Sequence, residues 1–257
     1  MQTKLAAFLL PVLALAFGIP TQARAGLING SFEQYTGGYN GGLSQLANSG
    51  TGGYTAITGW TVGSGTYGFL MAPGTVDTTG SYSPQFTNTF SLWGSNNGGL
   101  NTIPATSPDG GDFLALDAAA GYRGTGISQI LTGLTTGQQY SVSFDWASGQ
   151  QHGFNGATTE SLQVSLGSQT QSTSIVSNVD RGFTNWQKQT FVFTADGASD
   201  TLNFLAVGTP SGLPPIVLLD GVNFAAVPEP GSLALVGIGL VATAAVRRYR
   251  RGTSAPM

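Results

Sequence analysis

The chain has 257 residues, of which 9 are basic, 12 acidic, one histidine, 39 glycine and none cysteine. Residues 26–226 alone hold 3 basic and 11 acidic residues, a formal charge of −8. Nucleic-acid binding needs a basic footprint and is excluded on that count, and direct binding of an anionic polysaccharide would need a bridging divalent cation. Without disulfides, the stability of this stretch rests on burial or on bound ions.

The first feature in chain order is Lys4, followed by the apolar run Leu5 to Ile19 and the small-residue triplet Ala23-Arg24-Ala25. A charged start, an apolar middle and an A-x-A end are the three parts of a secretory signal peptide. Residues 1–25 therefore read as a signal helix, with cleavage expected before Gly26.

Residues 26–226 are enough for one β-rich domain with a genuine core and short for two. They show no amphipathic helix pattern. In 138-QQYSVSFDWAS-148, Tyr140, Val142, Phe144 and Trp146 alternate with Ser141, Ser143 and Asp145, and 161-SLQVSLG-167 alternates in the same way. Further strand candidates are 112–118, 127–134, 172–179, 188–195, 200–208 and 216–224. Period-two patterning between turn residues predicts an antiparallel β-sandwich. Hairpin turns are expected at Thr135-Thr136-Gly137 and at Ala195-Asp196-Gly197. The Gly-, Asn- and Ser-rich stretches Thr36–Gly53 and Thr78–Pro108 read as long surface loops, a kind of segment that is usually functional or mobile.

The chain ends with Val227-Pro228-Glu229-Pro230, an uncharged run from Ser232 to Val246, and the arginines Arg247, Arg248, Arg250 and Arg251. As a helix the run would reach roughly 22 Å against a hydrocarbon core of about 30 Å, and Gly237 and Gly239 weaken it further. It reads as a marginal membrane segment, with the arginines as a cytoplasmic stop. This arrangement, over residues 227–257, resembles the PEP-CTERM sorting signal of exported bacterial proteins. The resemblance implies transient insertion in the inner membrane and processing near the Pro-Glu-Pro motif by an exosortase-type protease. The host would be a Gram-negative cell that makes exopolysaccharide, and the destination the cell surface or extracellular matrix. A simple retained anchor is the alternative.

The body carries 28-INGSFE-33, 59-GWTV-62, 112-DFLALD-117, 129-QILTGLTTGQQYSVSFDWA-147, 186-WQKQTFVFTA-195 and 218-LLDGVNF-224. In this order they resemble carbohydrate-binding-module-like domains with the galactose-binding-type jelly roll. That likeness implies an all-β jelly roll in which the first and last strands lie side by side. Similar modules often hold a structural calcium there, which would place Glu33 and Asp220 as metal ligands together with backbone carbonyls.

Sequence signals for catalysis are sparse. The stretch 63-GSGTYG-68 matches G-x-G-x-x-G, but no helix follows it, so chance in a glycine-rich chain explains it. His152 lies in a polar turn. A glycoside hydrolase needs only two carboxylates, and Asp109, Asp112 and Asp117 crowd one segment, with Asp145 and Glu160 flanking the His152 turn. Glycan contact would use exposed aromatic rings: Trp93 is the first candidate, followed by Tyr82, Tyr39 and Tyr122, while Trp60 and Trp146 read as core. Ice binding would need ranks of regularly spaced threonines, and only 170-TQSTS-174 hints at one. The leading expectation is a non-catalytic, surface-sorted matrix protein with weak glycan contact; the alternative is a secreted hydrolase.

Overall fold

The computed structural model describes residues 26–48, 52–103, 106–228, 238–245 and 248. The signal peptide, Glu229, Pro230, Arg247, Arg250 and Arg251 lie outside the described residues. Residues 238–245 are helical, and among the described residues no helix is long and apolar enough to cross a membrane.

Among the described residues fifteen strands follow one another: β1 (Tyr35–Gly37), β2 (Thr55–Ile57), β3 (Thr61–Val62), β4 (Gly68–Met71), β5 (Ser81–Ser83), β6 (Asn88–Phe90), β7 (Phe113–Asp117), β8 (Ile127–Thr132), β9 (Gln139–Gln150), β10 (Thr158–Leu166), β11 (Gln169–Ser172), β12 (Val176–Asn178), β13 (Gln187–Thr194), β14 (Ser199–Thr209) and β15 (Pro215–Ala226). A five-stranded sheet runs β13-β9-β15-β7-β4, and a second sheet runs β11-β10-β14-β8-β3 with β12 also on β10. All pairings in both are antiparallel. The protein is an antiparallel β-sandwich of the jelly-roll kind.

Alternation places the core. Tyr140, Val142, Phe144 and Trp146 of β9 face Leu162, Val164 and Leu166 of β10 and Leu202, Phe204 and Ala206 of β14, all buried between the sheets. Phe144 meets Phe204 edge-on at 5.3 Å, and Trp60 closes the same cluster at 6.0 Å from Phe204. Burying each such large side chain contributes about 1.5–3 kcal/mol.

Two expectations are corrected. The turns at 135–137 and 195–197 are not hairpins: β8 and β9 belong to different sheets, and so do β13 and β14. A Gly-containing turn reverses the chain without fixing the plane of reversal, and here the chain arches from sheet to sheet. Hairpins between consecutive strands form instead at β10–β11, closed around Gly167-Ser168, and at β5–β6.

Neither of the two long loops is simply surface. The segment after β4 folds back over the outer face of the five-stranded sheet, making a second apolar layer. Phe69, Met71, Phe113, Ala115, Ala147, Ile216 and Leu218 project from the sheet and are covered by Val76, Phe90, Leu92, Ile103 and Phe183. Phe90 stacks on Phe69 at 3.8 Å with an interplanar angle of 5°. In the earlier loop, Leu46 joins the main core, and Ser44 and Gln45 are buried. The outer face of this sheet is thus sealed in the middle and leaves polar groups at its two ends.

Candidate functional site

Asp220 lies in β15 on the same outward face as Ile216 and Leu218, just before the irregularity between Asp220 and Asn223, and opposite Asp145 of β9. It is fully buried. Its Oδ2 accepts from the Ser107 hydroxyl, while Oδ1 has no hydrogen-bond partner among the described residues. Burial above all, then the charges of Asp109 and Glu33, push its carboxyl up to about 7, against the opposing Ser107 bond and the pull of the neighbouring Gly221 amide.

The segment carrying Glu33 is brought there by the Asn29-Gly30 turn. Val222 N–H donates to Gly30 O at 2.9 Å, and a side chain at Gly30 would collide with the Val222 carbonyl. Phe32 sits in the left-handed region at φ 58°, which sends its ring into the core and Glu33 outward. Glu33 Oε1 accepts the Asp112 amide at 2.7 Å. Burial and the Glu33 charge raise the Asp112 carboxyl. Gly111, at φ 68°, packs where any Cβ would strike the Glu33 carboxylate; a Cβ on Gly221 would come within 2.8 Å of Asp145 Oδ2.

The structure therefore gathers Glu33, Asp109, Asp112, Asp145 and Asp220 at one end of the sheet. Asp220 forms the floor, and Glu33 and Asp109 stand exposed above it. Among the described residues the cation paired with this cluster is Lys188, 3.9 Å from Asp145 and largely solvent-exposed; such a pair contributes little. The chemistry of this donor set fits a cation: an unpartnered buried carboxylate oxygen, excess negative charge, and glycines that keep the space clear. Among the described residues no three acidic or histidine side chains converge as a metal cluster. A cation here would accordingly take backbone carbonyls as well as carboxylates, a hard-oxygen mix that suits calcium. Asp145, a candidate hydrolase carboxylate in the sequence, lies instead beside Asp220, and its alternation out of the core in β9 was the available signal; Ser107 carried no such signal.

The hydrolase trio does not assemble. Asp109 and Asp112 join the cluster, but Asp117 lies at the far end of β7. At about 3.3 Å per residue, that is roughly 17 Å from Asp112, beyond either carboxylate spacing used by glycosidases. His152 makes no ion pair among the described residues; its ring packs against Trp93 at 4.3 Å. Nor does 170–174 form an exposed threonine rank, because Thr173 is buried and its hydroxyl accepts the Leu162 amide.

The aromatic candidates fall in two places. Tyr39 and Tyr82 stack at 3.6 Å and 11°, and Tyr54 flanks both, at 5.8 and 6.3 Å. Tyr39 is 40% and Tyr54 47% exposed. Backbone bonds fix this group: Tyr82 N–H donates to Leu43 O, Gln45 N–H to Tyr82 O and Tyr54 N–H to Gln45 O. Trp93 is only half-exposed. Its Nε1–H donates to Phe154 O at 2.6 Å, and the Arg181 guanidinium sits 5.7 Å from its ring. Trp93 thus braces the segment that follows β9. Trp93→Ala is expected to lower the melting temperature by a few degrees through loss of a hydrogen bond worth about 1 kcal/mol and its packing; an unchanged melt would return Trp93 to the role of a free contact residue.

A β-sandwich that ends in a sorting signal defines an exported, sorted protein: the PEP-CTERM protein-sorting motif matches residues 226–251. The family described as protein of unknown function, DUF642, matches residues 87–217, and the chain belongs to that family. Among solved structures, the CBM22-1 xylan-binding domain of Paenibacillus barcinonensis Xyn10C is similar over 68% of this chain and 90% of its own, at 15% identity and a TM-score of 0.37. The C-terminal domain of EclA, a sugar-binding protein, is similar over 51% and 87%, at 15% identity and 0.34. TmCBM61, solved with β-1,4-galactotriose, is similar over 77% and 92%, at 14% identity and 0.28. No curated protein matches the chain.

Proposed function

We propose that the mature protein is a non-catalytic, calcium-stabilised component of the cell surface or exopolysaccharide matrix that makes weak, multivalent contacts with glycan. The observation that carries this reading is the exposed tyrosine group Tyr39–Tyr54–Tyr82, preorganised by backbone hydrogen bonds on a protein bound for the outside. Flat rings beside hydroxyls are what a sugar face stacks on, at about 1 kcal/mol per ring. One such patch gives binding near millimolar, and many copies on a surface raise retention by avidity. In this reading the sealed middle of the five-stranded sheet moves glycan contact to the loops, with Trp93 supporting from behind.

The reading is tested by retention of the mature protein on exopolysaccharide from its own host. Tyr39→Ala with Tyr54→Ala is expected to weaken retention severalfold without changing the melt; retention equal to wild type would remove the tyrosine group from the account.

Calcium enters through the Asp220 floor: Glu33, Asp109 and Asp220 would hold the ion with backbone carbonyls, supplying charge neutralisation and a cross-link between β15 and the segment that precedes β1; the first strand itself pairs with β2 and not, as the resemblance implied, with the last strand.

Processing by an exosortase-type protease would follow transient inner-membrane insertion. Val227 N–H donates to Gln139 O at 2.9 Å, and Gln138 Nε2–H donates to Val227 O at 2.7 Å, so Val227 is still part of the sandwich edge. A cut just after it leaves β15 intact. Intact-mass measurement on protein from the native host is expected to show a start at Gly26 and an end beyond Val227 without Arg247–Arg251. Retention of those arginines on most molecules would leave the simple-anchor alternative.

A further inference from the structure

The end of the five-stranded sheet opposite the acidic cluster carries a pocket of about 210 Å³. Its floor is Asp117, and Phe86, Tyr122, Gln151, Phe154 and Ser211 line it. Four connections meet here: the β5–β6 turn, the loop after β7, the loop after β9 and the β14–β15 loop. Asp117 is the last residue of β7 and faces outward with Phe113 and Ala115. It is 5% exposed, whereas Phe86 is 43%, Tyr122 41% and Phe154 37% exposed. Aromatic rings thus form a rim around a nearly buried carboxylate.

The loops that hold the rim are tied down. Tyr67 N–H donates to Tyr122 O at 2.8 Å, and Asp117 N–H donates to Tyr67 O at 2.9 Å. The Tyr67 ring meets Tyr122 edge-on at 5.1 Å and Phe86 at 6.1 Å. Phe154 is anchored through its carbonyl by Trp93. One carboxylate oxygen of Asp117, Oδ1, accepts the Ala119 amide at 2.8 Å, a turn-forming bond that any strand end could use. The other oxygen takes no hydrogen bond among the described residues. Burial drives the Asp117 carboxyl up to about 7 against that Ala119 bond, so the group has little protein stabilisation for its charge.

We propose that this pocket is a subsite for one neutral sugar residue, a chain end or side branch, with Asp117 accepting hydroxyl protons at the floor and Tyr122 and Phe154 packing the apolar face of the ring. The proposal deepens the glycan reading above and rests on it. The volume decides the size of the occupant: pockets for larger ligands run from about 300 Å³ upward, so a single ring fits and an extended chain does not. Charge decides its sign. The lining contains no lysine or arginine, and an acidic sugar would set its carboxylate against Asp117. A cationic ligand is the competing chemistry, since aromatic rims also hold ammonium groups. The two amide- and hydroxyl-bearing side chains beside Asp117, Gln151 and Ser211, fit a polyhydroxylated ring better than an ammonium ion, which offers them no acceptor.

The test is native affinity electrophoresis of the mature protein in gels containing soluble galactan, xylan or β-glucan, with polygalacturonate and chitosan as the acidic and cationic counterparts. Asp117→Asn keeps the Oδ1 acceptor for Ala119 and changes the second oxygen into a donor, so it separates the turn-forming role from the ligand-facing one. Tyr122→Ala and Phe154→Ala alter exposed rings. Retardation by at least one neutral polysaccharide is expected, with each variant weakening it about tenfold, equivalent to ~1.4 kcal/mol, and none lowering the melting temperature. Wild-type retardation that all three variants retain would overturn the subsite while leaving glycan binding through the tyrosines in place. Retardation by chitosan alone would overturn it in favour of a cation site. Absence of retardation by every polysaccharide would remove the subsite and the glycan reading together.

Discussion

Calcium added to chelated protein at pH 8 is expected to raise the melting temperature by about 5–10 °C, and the Glu33→Ala, Asp220→Ala double variant is expected to lose the response. An ion present at a hundred times its dissociation constant stabilises the folded state by about 2.7 kcal/mol, and 1 kcal/mol moves the melt of a domain this size by roughly 2–4 °C. With calcium present the double variant should therefore melt well below wild type. With chelator the gap should close, because the apo wild type carries a buried carboxylate whose Oδ1 is unpartnered and which feels Asp109 and Glu33. Asp220→Asn sharpens the test: it should be at least as stable as wild type in chelator and indifferent to calcium. Scanning calorimetry with and without chelator measures all of this, and equal melts in the two conditions for wild type would end the calcium assignment.

The same protein should show a pH dependence opposite to ordinary acid denaturation. Burial raises the carboxyls of Asp117, Glu160 and Asp220 to about 7, while unfolded carboxyls titrate near 4. The folded state therefore binds more protons between those values, so this contribution is complete below about pH 4 and is lost as pH rises through about 7. Glu160 contributes from within the sandwich, where it is fully buried and bonded at 2.6 Å to the Ser148 hydroxyl. Chelated protein is expected to melt lower at pH 8 than at pH 5.5, and calcium should narrow the difference because ion and proton compete for the same carboxylate.

Strand identity was legible in the sequence because burial on one face imposes period two. Tyr140, Val142, Phe144 and Trp146 alternate, and they occupy the core. The pairing of Glu33 with Asp220 was legible only through a family likeness, since their separation along the chain hides that Gly30 rests on Val222. That Asp145 and Ser107 meet Asp220 was not legible, because β-sheet register and a loop return, neither of them local, bring them there. Turn residues failed to say which sheet the next strand enters, as both 135–137 and 195–197 demonstrate. The pocket around Asp117 was least legible of all, for it draws one to three residues from each of four connections.

Replacing Phe90 by alanine is expected to lower the melting temperature by about 10 °C, more than any substitution elsewhere in the Gly/Asn/Ser-rich loops. A surface-loop aromatic would give no such effect, since exposed substitutions usually stay within about 0.5 kcal/mol. Phe90 is 3% exposed and lies flat on Phe69, and Phe to Ala in a packed interior costs about 3–5 kcal/mol. Isolated apolar residues such as Val76, Phe90, Leu92 and Ile103 look like noise among glycines and asparagines, yet together they close one face of a sheet. Phe86→Ala, four residues earlier on the same hairpin but at the open rim, serves as the internal control and should leave the melt within a degree or two. Equal, small effects at both positions would mean that the layer over the five-stranded sheet is loosely held. The sheet face would then be available to a ligand. A large effect at Phe90 alone fixes the layer as core, and leaves the loop ends and the tyrosine group as the surfaces on which a sugar can be met.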